Sequence, residues 1–142
     1  MRTVFVDTGA WIALLDRRDR WHGPVAAHFQ RLREVRVRLV TSNYVVDETA
    51  THLRYEMGLP AALRWHAALE AALAAGSLDM LWVDEPTEAE GWRLLAQFAD
   101  VALSLTDATS AVLAHAGRIP EIRGLDRDFE ALGLTVLPGS RR

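Results

Sequence analysis

The chain has 142 residues, half of them apolar, with sixteen basic and nineteen acidic side chains and a net charge of −3. That length suits one domain spanning 1–142 with a real core, and the charge balance gives no general attraction for nucleic acid, so any such binding must come from local patches or a metal. There is no cysteine and no lysine, all sixteen basic residues being arginine, which excludes thiol nucleophiles, thiolate zinc sites, disulfides, Schiff-base chemistry, a Ser-Lys dyad and a Walker-type phosphate loop.

Residues 2–6 read as a buried strand, followed by a short helix over 8–15 with Thr8 or Asp7 as its cap. After the charged turn Asp16 to Arg20, a helix starting at His22 or Pro24 and reaching Glu34 puts Val25, His28, Phe29 and Leu32 on one face. A second strand covers 37–41. A helix over 43–57 ends at Gly58 and Pro60, and another over 61–75, with Leu63, Leu69 and Leu73 inward, stops at Gly76. Leu78 to Val83 is a third strand. Glu85-Pro86-Thr87 starts a helix to Phe98, Ser104 or Thr106 starts one ending at Gly117, and Ile122 to Leu125 is a fourth strand. A short helix over 127–132 precedes a fifth strand, Leu134 to Leu137, closed by Pro138-Gly139. Strands alternating with helices predict a three-layer α/β/α sandwich around a central, mostly parallel five-stranded sheet. The tryptophans are mostly spaced as core, with Trp11 and Trp21 also able to stack on a base or fill a dimer interface. No apolar stretch is long enough to span a bilayer, and Met1-Arg2-Thr3 has no signal-peptide shape. A cytoplasmic location without membrane attachment is the expectation.

Four acids stand where apolar or capping residues are usual: Asp7, Glu48, Asp107 and Asp126. Asp7 and Asp126 each end a strand, and in such sheets ligands bind beyond the carboxyl ends of the strands. Asp7 can act as a helix cap, as a ligand, or as both. Glu48 shares its helical face with Tyr44, Val45, His52 and Tyr55, whereas Asp47 faces Asn43, Thr51 and Arg54 and reads as solvated. Ser104-Leu105-Thr106-Asp107 has capping-box spacing, yet Ala108, Ala111 and Ala114 leave little side chain near Asp107. Asp126 can simply cap the short helix that follows; it ranks ahead of its rival Asp128, whose position within that turn predicts an outward direction. Carboxylates gathered without a cation repel one another, so convergence of the four implies a bound divalent metal and points to phosphodiester chemistry. Two other kinds of protein that place an Asp after the first strand, haloacid-dehalogenase-like phosphatases and response-regulator receivers, normally rely on a lysine that this chain lacks.

Four segments together resemble the PIN domain, the fold of many metal-dependent ribonucleases: Val4 to Leu14 with Asp7-Thr8, Asn43 to Glu48, Leu105 to Ala108, and Leu125 to Phe129. Length and compactness resemble the VapC-type toxins of bacterial toxin–antitoxin pairs. The resemblance implies an Mg²⁺- or Mn²⁺-dependent endoribonuclease with Asp7, Glu48, Asp107 and Asp126 as catalytic and metal-binding acids. Thr8, Ser104 and Thr106 would orient them. It implies an RNA substrate, a small cognate antitoxin and a homodimer. The fourth segment departs from the commoner pattern, having Leu125 and Asp128 where Thr or Ser and His are usual. Arg17, Arg18, Arg20, Arg123 and Arg127 are the candidates for phosphate contacts. A housekeeping PIN nuclease of RNA processing and a non-catalytic PIN-like binding module are the alternative functions, the second disfavoured by the presence of all four acids.

Overall fold

The computed structural model describes residues 2–141, with the backbone alone for residues 139–141. Along the chain run β1 (Thr3–Val6), α1 (Thr8–Leu15), α2 (His22–Glu34), β2 (Arg38–Ser42), α3 (Asn43–Glu56), α4 (Leu59–Ala75), β3 (Leu78–Leu81), α5 (Glu85–Gln97), α6 (Leu105–Ala116), β4 (Glu121–Asp126), a 3-10 helix (Arg127–Leu132) and β5 (Thr135–Arg141). The five strands form one sheet in the order β3-β2-β1-β4-β5, and all four pairings are parallel. The order reverses at β1: the chain builds outward to β3 on one side, then returns through α5 and α6 to place β4 on the other. A crevice opens at the carboxyl ends of strands where such a reversal occurs. No helix among the described residues is long and apolar enough to cross a membrane.

Burial explains β1 as the central strand. Val4, Phe5 and Val6 are fully buried, because helices cover both faces and leave no polar side to alternate. The α4 stripe differs from expectation. Ala61, Trp65 and Leu69 are buried, and Leu63 is 58% exposed. At 100° per residue Leu63 stands about 200° from Trp65, so once the indole takes the core the leucine faces solvent. Gly76 closes α4 in the left-handed region (φ 78°), its N–H reaching the Ala72 and Leu73 carbonyls. The last strand runs past Pro138 rather than ending there. As β5 lies at a sheet edge, the missing proline N–H leaves no ladder bond unmade on an inner strand.

The tryptophans divide. Trp11 and Trp65 pack in the core with ring centroids 5.8 Å apart, whereas Trp82 and Trp92 are 67% and 57% exposed, so spacing alone misplaced the latter two. A cavity of about 930 Å³ opens between α2, the end of α4 and the amino ends of β2 and β3, lined by Trp11, Phe29, Leu39 and Leu78 with Arg33 and Arg36. It lies at the end of the sheet away from the four acids.

Candidate metal centre

Asp7 is held at the switch point by backbone geometry. Its N–H donates to the Arg123 carbonyl at 2.9 Å, extending β1 along β4, and α1 begins at the next residue. It occupies the N-cap position but makes no capping hydrogen bond with its side chain. Its carboxylate is buried, and Oδ1 has no hydrogen-bond partner. Burial first, then the Asp107 charge, with smaller pushes from Glu48 and Asp126, raise its pKa to about 8 against a small opposing pull from the Thr8 amide. A buried carboxylate oxygen without a donor is costly, so with Oδ1 unpaired and the cap unfilled the ligand role fits Asp7 better.

Asp107 makes the capping box its sequence suggested and is partly buried as well. Its Oδ2 accepts from the Ser104 N–H at 2.9 Å while its own N–H donates to Ser104 Oγ at 3.0 Å, a complete capping box at the start of α6. Burial nevertheless raises its pKa to about 6 against the lowering effect of the Ser104 bonds, with Glu48 and Asp126 adding to the rise. The box thus fixes one oxygen and orients the carboxyl group.

Glu48 is half-buried on α3 while Asp47 is exposed, as helical phase required. The rest of that face is less enclosed than expected, since His52 is exposed and Tyr55 is 82% exposed. Asp126 accepts from the Asp128 N–H at 2.9 Å and caps the 3-10 helix. Of the two rivals, Asp126 and not Asp128 is among the main influences on both Asp7 and Asp107. The four acids are therefore within electrostatic reach of one another. Among the described residues no three acid or histidine side chains are drawn into a ready-made cation cage, and mutual repulsion holds such groups apart.

The residues fit a divalent cation on three observations. The donors are hard carboxylate oxygens, as Mg²⁺ and Mn²⁺ prefer. Asp7 Oδ1 and the neighbouring Thr8 Oγ1 are both buried without a partner. Gly124 leaves open the space beside the Asp7 carboxylate, where an added Cβ would stand 3.5 Å from Oδ2. Gly124 was missed in the sequence, although a lone glycine inside an apolar strand is a signal of close approach. Thr41 was missed as well: its hydroxyl donates to the Val6 carbonyl at 3.0 Å and receives the Trp11 indole N–H at 3.3 Å, holding the end of β1.

The arginines sort by exposure. Arg17, Arg18, Arg20 and Arg127 are exposed. Arg18 forks onto Asp16 at 3.0 and 3.1 Å, Arg20 lies over the Trp21 ring, and Arg127 pairs with Glu130 at 2.6 Å. Arg123 corrects the expectation of a phosphate contact. Its side chain is 1% exposed and stands 2.8 Å from Glu121, because it lies inside β4, where residues 122–125 are buried on both faces of the sheet. Thr106 is half-buried, and its carbonyl accepts from Thr109 and Ser110.

The PIN domain profile matches residues 4–134. The chain belongs to the PIN domain family. It is 31% identical over 133 residues to a 23S rRNA-specific endonuclease, VapC20, of Mycobacterium tuberculosis, covering 92% of this chain and 94% of that protein. A VapC ribonuclease of Archaeoglobus fulgidus is 30% identical over 114 residues, 79% of this chain and 70% of that one. The crystal structure of VapC20, described as a sarcin-ricin loop cleaving toxin, superposes with a TM-score of 0.79 at 29% identity, over 93% of this chain and 96% of that one. FitAcB of Neisseria gonorrhoeae shares the fold at a TM-score of 0.66 and 22% identity, over 94% and 95% of the two chains.

Proposed function

We propose that this PIN domain is a Mg²⁺- or Mn²⁺-dependent endoribonuclease and the toxin of a toxin–antitoxin pair. The observation that carries the chemistry is the buried Asp7 carboxylate, without a hydrogen-bond donor on Oδ1 and within electrostatic reach of Glu48, Asp107 and Asp126. The toxin role draws on the near full-length similarity to VapC20. A small antitoxin that covers the acids restrains the enzyme, which acts in the cytoplasm as a homodimer.

A divalent cation bound by the four acids supplies Lewis acidity and positive charge to the phosphodiester's transition state. The residues of the chain do the rest. Asp7 supplies the oxygen that no protein donor satisfies, and Thr8 Oγ1, buried and likewise without a partner, is free to orient a cation-bound water. Ser104 fixes one oxygen of Asp107 and leaves the other toward the crevice. Glu48 and Asp126 close the ring from α3 and the end of β4. Water adds to phosphorus and one P–O bond breaks, with no covalent enzyme intermediate.

Purified protein incubated with 23S rRNA and Mg²⁺ or Mn²⁺ should cut it, and Asp7→Asn or Asp107→Asn should leave only the background of a protein-free control. Cleavage that survives both substitutions overturns the site. Expression of the chain alone should arrest growth, and co-expression of the neighbouring small antitoxin should relieve it. Normal growth with active nuclease would instead assign a housekeeping role. Sedimentation equilibrium tests the dimer.

A further inference from the structure

We propose that the exposed ledge of α3 running from Glu48 through His52 to Tyr55, walled by the arginine turn after α1, holds the RNA strand beside the cleaved bond, with Tyr55 stacking on an unpaired base. This rests on the endoribonuclease reading and deepens it by naming the surface, and the aromatic side chain on it, that seats the substrate strand.

Helical geometry sets the ledge in line with the acids. Glu48, His52 and Tyr55 follow one another at four and then three residues, so they share one face, and Tyr55 lies about 10.5 Å along the axis from Glu48. A short single-stranded stretch reaches that far from a bond held at the acids. Tyr55 is 82% exposed, the most exposed large apolar or aromatic side chain among the described residues. The arginine turn stands against the same end of α3: Arg18 donates to the Glu56 carbonyl at 3.4 Å, and His52 is near enough to influence Asp16. Asp16, the acid of that turn nearest the ledge, is already engaged by Arg18 through the side chain and by the Arg18 N–H. Arg17 and Arg20 remain exposed beside it.

A flat aromatic face with cations alongside is the surface that binds single-stranded nucleic acid: bases stack on the ring, phosphates meet the arginines, and duplex offers no free face to stack. An apolar partner protein is the rival occupant, because Leu59 and Leu63 are also exposed. Those two belong to α4, however, whereas the aromatic and the basic groups line the α3 face that leads from Glu48.

The test uses the full chain carrying Asp7→Asn, which keeps RNA intact, and a fluorescein-labelled RNA stem-loop with a purine-rich unpaired loop. Fluorescence anisotropy with Tyr55→Ala added should show affinity weakened about ten-fold, within the range of one lost base stack. Tyr55→Phe should bind like its parent, and a blunt duplex RNA should bind all three alike. Melting temperatures should match, as Tyr55 is exposed. Unchanged stem-loop affinity in Tyr55→Ala overturns the proposal and leaves the ledge to a protein partner. Equal loss in Tyr55→Phe, or no binding of the stem-loop by the parent, overturns it too. Because binding is read without cleavage, failure of the nuclease reading shows separately, in the rRNA assay.

Discussion

Asp7 and Arg123 are joined through one backbone hydrogen bond, Asp7 N–H to the Arg123 carbonyl at 2.9 Å, and burial acts on them in opposite directions. Desolvation pushes the carboxyl pKa up and the guanidinium pKa down. Among the described residues no cation pairs with Asp7. Arg123 has Glu121, which also binds Arg2. A charge buried to this degree depends on its counterion, so removing one member costs more than the pair contributes. Glu121→Ala should destabilise the protein by about 3 kcal/mol in urea unfolding, whereas Arg17→Ala, at an exposed turn, should leave the midpoint unchanged. Equal midpoints for the two would show that Arg123 finds another partner. Both arginines were candidates because they flank Asp126, although the strand expected over Ile122 to Leu125 already enclosed Arg123 and left Arg127 outside. The decisive difference is position along the chain: Arg123 lies inside β4, between covered faces of the sheet, and Arg127 lies beyond the strand at the start of the 3-10 helix.

Among the elements, α5 and α6 show how a helix places a carboxylate. Gly91 is the only buried residue of α5, and a Cβ there would stand 2.7 Å from Thr109 Cγ2 on α6. The two helices therefore touch closely through a glycine, and α6 carries the Asp107 capping box at its start. Gly91→Ala should force a β-branched neighbour aside and cost about 1–3 kcal/mol by thermal melting. Ser104→Ala should cost about 1 kcal/mol as a lost cap and, unlike Gly91→Ala, should lower kcat more than it raises KM, because it releases an oxygen of Asp107. A Ser104→Ala enzyme with unaltered kcat would reduce the box to a helix cap. The box was legible in the sequence because capping is local in the chain. The Gly91 contact was not, since it depends on how two helices cross. Likewise Asp47 and Glu48 were separable by helical phase, while the exposure of His52 and Tyr55 depends on what packs above α3.

At the scale of the whole molecule, the order and type of every element were readable because alternation of strand and helix leaves few parallel arrangements, and Asp7 and Asp126 followed from their places at strand ends. What that reading could not supply was how far burial would protonate Asp7 and Asp107, and this sets the pH dependence of the fold. An aspartate titrates near 3.9 in an unfolded chain; in the folded protein Asp7 titrates at about 8 and Asp107 at about 6. Between those values the folded state holds more protons than the unfolded one, so stability falls as pH rises. The loss from Asp107 runs from about pH 4 to 6 and that from Asp7 from about 4 to 8. It amounts to a few kcal/mol. Cation-free protein should therefore melt higher at pH 5 than at pH 8, and Asp7→Asn should flatten the slope above pH 6. A cation that binds the ionised acids competes with those protons, so saturating Mg²⁺ or Mn²⁺ should raise the melting temperature much more at pH 8 than at pH 5. In Asp7→Asn the cation's effect should shrink at both. Differential scanning calorimetry across that range, with and without Mn²⁺, reads both slopes from one protein. A melting temperature that rises with pH in the cation-free wild type would show that the four acids are solvated and apart, and the metal centre would go with them.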